Sequence, residues 1–182
     1  MVRILVMKQS LVSQIVKTIS VVVLVALSSL SFAGAIAADG EAGKSDGVNA
    51  HPAFEPVKGL FLAISNFDEK AMKAVATQDF QLLEHGEVWT MDKLSAAIMP
   101  KNGPYQRTNY FDLIRVQELA DAVWISYWNK AHFESERGAG DVVWLESAIM
   151  VKSEGVWKIQ MLHSTRLRHE HVPDDINWIE VK

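Results

Sequence analysis

A short stretch near the C-terminus, WKIQMLHSTRLRHEH (residues 157–171), combines a strand-like pattern with ionisable side chains. Its first half alternates apolar and polar residues, which is typical of a half-buried β-strand. Histidine exchanges protons near neutral pH, so His163 within this strand is a candidate general acid or base. The alternative is a buried neutral histidine whose ring nitrogens bond Asn129 or a backbone carbonyl.

The hairpins predicted around this strand bring other polar residues to the same face. Turns centred near Glu154 and Arg137 would pair Leu145 with His163 on one side and with Asn129 on the other. The face then begins apolar and becomes polar toward one end, as the wall of a pocket does. The predicted ligand-binding residues on it are Tyr127, Asn129, Ser147 and His163.

The segment LLEHGEVW (residues 82–89) supplies candidates for the mouth of this pocket. Glu84 and His85 alternate across an extended chain, so one of them faces the pocket. A carboxylate enclosed by apolar side chains suits proton transfer, which makes Glu84 a catalytic candidate together with His163. The alternative for Glu84 is a turn-stabilising carboxylate that accepts backbone hydrogen bonds. Trp89 is either part of the hydrophobic core or a ring that stacks on a ligand.

Other ionisable residues are assigned structural roles. Glu146 is predicted on the opposite face of the sheet, in an ion pair with Arg166 or in a dimer contact. His169 and His171 form an H-x-H pair, but two histidines alone are a weak metal signal, and a solvated tail is the preferred interpretation. The sequence has no phosphate-binding loop, no G-x-S-x-G and no metalloprotease helix motif. We expect neither a metal nor an organic cofactor.

Helical patterns precede the strands that carry these residues. Apolar residues at helical spacing predict a helix over EPVKGLFLAISN (residues 55–66), and Asp68 and Thr90 are suitable N-caps for two more. From residue 107 onward the hydrophobic period is two, with short turn signals between segments. Three helices followed by an antiparallel meander predict an α+β fold, with the helices on one face of a curved sheet.

The N-terminal residues have the pattern of an export signal. Arg3, Lys8 and Lys17 precede a long uncharged stretch that ends in the small-x-small sequence Ala35–Ala37. This pattern predicts a signal peptide over residues 1–37, a flexible linker over residues 38–51 and a domain over residues 52–182. The alternative is an uncleaved anchor, but serine, glycine and alanine dilute its second half. We expect a periplasmic or secreted protein with no membrane association after cleavage.

Charge and cysteine content exclude several classes of function. The chain of 182 residues has a net charge of −4, and removal of residues 1–37 leaves 15 basic and 22 acidic residues, a net charge of −7. Such an acidic domain has no electrostatic footprint for nucleic acid. The absence of cysteine excludes disulfides, thiolate metal sites and a cysteine nucleophile.

Four strings in the order LLEHGEVWTMDKL, SYWNKAHFE, WLESAIMVK and WKIQMLHSTRL resemble the nuclear transport factor 2-like superfamily, and in particular its small exported SnoaL-like members. The resemblance covers roughly residues 52–168. It implies a cone-shaped, cystatin-like α+β fold with a pocket between helices and sheet, and a homodimer formed through the sheet. The superfamily includes isomerases, cyclases, dehydratases and association modules, so the resemblance does not determine an activity.

Three functions follow from this interpretation. The preferred one is binding of a small, largely apolar ligand in the cone. The second is a cofactor-free isomerase, dehydratase or cyclase that uses His163 and a carboxylate for proton transfer. The third is a homo-oligomerisation module whose cone is filled by its own side chains. The tyrosine and two acidic groups of the superfamily's ketosteroid isomerase cannot be matched here residue by residue.

Overall fold

The helices form where the sequence has apolar residues at helical spacing and suitable N-cap residues. The computed structural model describes residues 51–100 and 104–182; a 3₁₀ turn, Pro52–Phe54, leads into α1 (Glu55–Ser65), followed by α2 (Glu69–Ala74) and α3 (Met91–Ile98). The Asp68 carboxylate accepts a hydrogen bond from Ala71 N at 2.9 Å, and Thr90 Oγ1 accepts one from Lys93 N at 3.3 Å. The three predicted helices and both predicted caps are therefore present.

Seven strands form one sheet. They are β1 (Ala76–Glu84), β2 (Glu87–Trp89), β3 (Gln106–Glu118), β4 (Ala122–Ser135), β5 (Gly138–Ser153), β6 (Val156–Arg166) and β7 (Ile179–Val181). Their order across the sheet is β2-β1-β6-β5-β4-β3-β7, and neighbours are antiparallel except for β1 and β6, which are parallel. The predicted α+β fold with helices on a curved sheet is confirmed, with one parallel pair added.

An aromatic cluster joins the helices to the sheet. The Phe54 ring lies 5.2 Å from the Tyr127 ring and 5.6 Å from the Phe111 ring, and Phe61 of α1 lies 5.3 Å from Phe111. These edge-on and tilted contacts suit the quadrupoles of the rings. We call the face of the sheet that packs on the helices the inner face, and the opposite one the outer face.

The predicted register of the β4–β5 hairpin is wrong by one residue, and that of the β5–β6 hairpin is wrong by one near its turn and by two beyond a bulge in β6. Both turns contain two residues: Ser135 pairs with Gly138, and Ser153 pairs with Val156. The two-residue loop between β4 and β5 exchanges the faces of β5, because side chains alternate with a period of two. A bulge at Gln160, where Met150 pairs with Ile159 but Ile149 pairs with Met161, exchanges the faces of the C-terminal part of β6. The structure thus pairs Tyr127 with Glu146.

This register moves several predicted residues to the other face. Glu146, Trp144 and Met150 belong to the inner face, although they were predicted on the outer one. Ser147 pairs with His163 on the outer face, where the His163 side chain is exposed. Of the predicted pocket residues on these strands, Tyr127 and Asn129 are on the inner face, whereas Ser147 and His163 are not.

The C-terminal segment returns across the outer face to the far edge of the sheet. Asn177 N donates a hydrogen bond to Asp112 at 2.9 Å, and the Lys130 ammonium lies 4.8 Å from the centre of the Trp178 ring. The last residues then form β7, which pairs with β3. This strand lies in the C-terminal tail, for which no secondary structure was predicted.

The signal peptide (residues 1–37) and nearly all of the linker lie outside the described residues, so both remain predictions. Among the described residues, no helix is both long enough and apolar enough to cross a membrane.

Candidate functional site

A carboxyl group lies inside the domain, at the centre of the inner face. The Glu146 side chain belongs to β5, and the residue is only 4% exposed. Ser164 Oγ on β6 donates a hydrogen bond to Glu146 Oε1 at 2.9 Å, and Asn129 Nδ2 on β4 donates one to Glu146 Oε2 at 3.1 Å. Each oxygen of the carboxyl group therefore has one donor, from the strand on either side.

Burial dominates the proton affinity of this group. Loss of water around the carboxylate raises the pKa of Glu146 from 4.5 to about 7, because burial disfavours the charged form. Hydrogen bonds from Ser164 and Asn129, the nearby Tyr127 hydroxyl and the positive charge of Arg107 act in the opposite direction but do not offset burial. Glu146 thus carries a proton in about half of the molecules near neutral pH.

Two buried polar atoms next to Glu146 retain hydrogen-bonding capacity. The Tyr127 hydroxyl and Asn129 Oδ1 have no hydrogen-bond partner of ordinary geometry among the described residues. The Tyr127 hydroxyl still lies close enough to Glu146 to affect its pKa, and burial raises the pKa of Tyr127 well above 10. Such unsatisfied groups cost about 1–3 kcal/mol each, which a packed core without function rarely retains.

Arg107, at the start of β3, brings a positive charge to the same region. Its guanidinium lies 5.3 Å from the Phe61 ring, 5.4 Å from Phe133 and 5.7 Å from Trp144. Burial lowers the pKa of Arg107 to about 10, so the group remains charged at neutral pH. Arg107 Nε donates to Asn109 Oδ1 at 2.8 Å, and Asn109 Nδ2 donates to Phe61 O at 3.1 Å. Asn109 thereby fixes the guanidinium relative to α1.

An inner cavity of about 200 Å³ lies between the helices and the sheet, beside these groups. Its walls are mainly apolar side chains from α1, α3 and the inner face. The ionisable residues that line it are Glu84, His85, Arg107, Glu146 and Arg166. The site therefore combines an apolar enclosure with charged groups and a carboxyl that exchanges its proton near neutral pH.

The residues predicted at the mouth lie on this cavity. Glu84, His85 and Trp89 all line it, and the Glu84 carboxylate pairs with His85 Nε2 at 3.0 Å. The Glu84 side chain is 12% exposed, whereas that of His85 is 61% exposed. His85 adopts a positive φ of 52° at the turn between β1 and β2, which directs the chain back toward the cavity. Their roles in binding or catalysis remain predictions.

His163 lines a different depression, on the outer face. This outer groove, about 1150 Å³, lies between the sheet and the C-terminal segment that includes Pro173 and Trp178. It is larger than the inner cavity, but all of its lining residues except Ser164 are exposed or half-buried. The chemistry proposed for His163 beside Asn129 is therefore not available, because the two side chains lie on opposite faces.

The important residues that the sequence interpretation missed are Glu146, Arg107 and Ser164. The sequence signal that could have placed Glu146 correctly was the turns. Glu154-Gly155 resembles the Asp-Gly dipeptide that is typical of two-residue hairpin loops. Both residues have positive φ, 54° and 81°, as a type I′ turn requires. A two-residue loop at each position would have placed Glu146 opposite Tyr127, whereas its pairing with Ser164 also requires the bulge at Gln160.

The histidine pair in the tail is exposed and forms a short 3₁₀ turn, His169–His171. Within residues 51–100 and 104–182, no cluster of three or more potential metal-ligating side chains occurs.

Comparison with solved structures identifies the fold. The CaMKII hub homology domain of Chlamydomonas reinhardtii matches with a TM-score of 0.58 at 14% identity, over 65% of this chain and 98% of that one. A ketosteroid isomerase-like protein from Erwinia carotovora atroseptica matches with a TM-score of 0.53 at 16% identity, over 64% and 95%. An NTF2-like protein from Cytophaga hutchinsonii matches with a TM-score of 0.52 at 20% identity, over 63% and 94%.

These likenesses establish that the domain has the nuclear transport factor 2-like fold, as the resemblance implied. No protein-family model matches the chain, and no curated protein matches it in sequence. At identities of 20% or less the structural neighbours define the fold and leave the activity open.

The raised pKa of Glu146 predicts a pH dependence of stability. Because the folded-state pKa exceeds the unfolded value, the contribution of Glu146 is fully present below about pH 4.5 and is lost as the pH rises through about 7. The free energy of unfolding should fall by roughly 3 kcal/mol relative to a Glu146→Gln variant over this range. Urea unfolding of both proteins at several pH values gives the difference between their free energies of unfolding. The contributions of the other titrating groups cancel in this difference. A difference that is constant with pH would contradict the assignment.

Proposed function

We propose that the protein binds a small organic molecule with a largely apolar body in the inner cavity. The supporting observation is the cavity itself, an apolar cleft of about 200 Å³ that the side chains of the cone do not fill. Ligand pockets commonly measure about 300–1,000 Å³, so the ligand is smaller than a typical drug molecule. A single ring or a short chain fits this volume.

The polar groups of the site suit the other end of such a ligand. Arg107 supplies a fixed positive charge, and Glu146 donates or accepts a proton according to its state. The Tyr127 hydroxyl lies next to Glu146 on the neighbouring strand. A few convergent polar groups in an apolar enclosure are typical of small-molecule sites.

A second candidate function is cofactor-free proton transfer, and the buried Glu146 favours it. A general acid–base group works best when its pKa is near the working pH, and Glu146 meets this condition without a metal. Glu146 replaces His163 in this role, because His163 is on the outer face. If the protein turns over its ligand, Glu146→Gln should retain binding and lose turnover by about 10²–10⁴-fold. Unchanged turnover in steady-state assays of the variant would exclude this role.

A third proposal concerns self-association through the outer face. Leu145 is 38% exposed there and pairs with Trp128, which is half-buried. Ile149 pairs with Trp124 on the same face, so the apolar surface continues along β4 and β5. A contiguous patch of this kind is typical of a protein–protein contact. One structural neighbour is named a hub domain, and a homodimer through the outer face is consistent with that likeness.

Binding in the inner cavity has a spectroscopic test. Trp89 and Trp144 line the cavity, whereas Trp124 and Trp128 belong to the outer face. In ¹H–¹⁵N spectra, a fragment that enters the cavity should shift the indole signals of the first pair and leave those of the second unchanged. Ala97→Phe should block this response, because Ala97 lines the cavity on α3. A fragment library that shifts neither Trp89 nor Trp144 would overturn the proposal.

The dimer proposal predicts that one charge introduced into the outer face dissociates the dimer. Leu145→Asp should convert a dimer into a monomer in sedimentation velocity, since a carboxylate cannot be buried unpaired in an apolar contact. Met99→Asp is the matched control, because Met99 is 40% exposed at the end of α3, on the side of the sheet that carries the helices. The control should remain dimeric. A wild-type protein that sediments as a monomer at all concentrations would contradict an interface on this face.

A further inference from the structure

The inner cavity has two guanidinium groups without a carboxylate partner. Arg107 and Arg166 both line it, and within the described residues neither is joined to a carboxylate by an ion pair. Glu146 acts on Arg107 only as a nearby charge. Arg166 is exposed to solvent, but Arg107 is half-buried, and an enclosed arginine is usually paired because desolvation of an isolated charge is costly. The missing partner is therefore an anion from outside this part of the chain.

The other charges on the cavity wall do not supply this anion. Glu84 is already engaged by His85 at 3.0 Å. Glu146 is protonated in a large fraction of molecules near neutral pH because it is buried. Water solvates the exposed Arg166, so with Glu146 neutral the half-buried Arg107 is the positive charge in the cavity that remains uncompensated. A ligand with a single negative charge balances the site.

We propose that the ligand of the inner cavity is a small organic carboxylate, with its carboxylate bound by Arg107 and its apolar body against the aliphatic and aromatic walls. This inference rests on the function proposed above. A guanidinium binds a carboxylate through two parallel hydrogen bonds, and Asn109 engages only Nε of Arg107. A phosphate dianion would exceed the uncompensated charge, and the apolar walls disfavour an inorganic anion.

Binding of this anion is coupled to the protonation of Glu146. The charged or titratable side chains that face Glu146 or share its cavity come from β3, β4, β6 and the end of β1; they are Arg107, Tyr127, Arg166, Glu84 and His85. An anion among them disfavours ionisation of Glu146, since like charges repel at short range. The complex thus forms with Glu146 protonated. Affinity should decrease by up to about tenfold per pH unit above pH 7.

Isothermal titration calorimetry with benzoate and benzamide tests the charge of the ligand. The two probes share size and ring, and only benzoate is an anion. We expect benzoate to bind the wild-type protein at least about tenfold more tightly than benzamide, with the preference decreasing from about pH 7 to about pH 9. In Glu146→Gln the preference for benzoate should persist, but its dependence on pH should disappear.

Arginine variants locate the interaction. Arg166 is exposed at the end of β6, so Arg166→Gln should fold normally and reduce the affinity for benzoate several-fold. Arg107→Gln should remove the preference for benzoate over benzamide. Arg137→Gln is the matched control, since it removes the same charge from the exposed turn between β4 and β5. This control should bind benzoate like the wild type.

The outcomes separate this inference from the proposed function. Equal affinity for benzoate and benzamide would overturn the carboxylate assignment while binding in the cavity stands. Benzoate binding that Arg107→Gln and Arg137→Gln weaken equally would also overturn it. If neither probe binds but neutral fragments still shift the Trp89 and Trp144 signals, the carboxylate assignment fails alone. If no fragment shifts these signals, both proposals fail.

Discussion

The alternation of side chains along the central strands determines which functional groups lie inside the domain. Two-residue turns and a bulge at Gln160 fix β4, β5 and β6 in a register that places Tyr127, Glu146 and Ser164 in one row across the inner face. Because side chains alternate with a period of two, a shift of β5 by one residue would bring Ser147 inward and expose Glu146. The hydrogen bonds to the carboxyl group, its raised pKa and the polar end of the cavity all depend on this register. The turns are distant from the site along each strand, yet they determine its composition.

Inside the domain, opposing contributions determine the pKa of a single carboxyl group. Burial opposes ionisation of Glu146, while two hydrogen bonds and the charge of Arg107 favour it. The result is a group that neither retains nor releases its proton completely near neutral pH. Arg107 is held by Asn109, which also bonds Phe61 O and Ser65 Oγ of α1. The position of the helix is thereby coupled to the position of the charge. Natural cores accept such incompletely satisfied polar groups chiefly at functional sites.

Local signals in the sequence sufficed for the elements and for the fold, but not for the interior of the cone. Spacing in residues 55–66 and the caps Asp68 and Thr90 are local properties, and they led to the correct helices. Glu84, His85 and Trp89 were placed on the cavity because they flank a tight turn next to a helix cap. Glu146 was assigned to the wrong face because the period-two pattern is compatible with either register when both faces are rich in aromatic residues. His163 was assigned to the wrong face because the bulge at Gln160 reverses the alternation in the rest of β6. Arg107 was missed since its role depends on partners distant in sequence, which spacing along the chain cannot reveal.

The C-terminal segment has a consequence for how the protein reaches its native state. Residues Ile179–Val181 cover the edge of β3, and an uncovered edge strand is a template for intermolecular pairing. These residues lie about 70 positions along the chain from their partners: Val181 pairs with Asn109, and Ile179 pairs with Phe111. The sheet is completed only when this long loop has closed, which is slower than closing the hairpins between neighbouring strands. Until then the exposed edge of β3 is a site at which nascent chains associate wrongly and at which a chaperone would act.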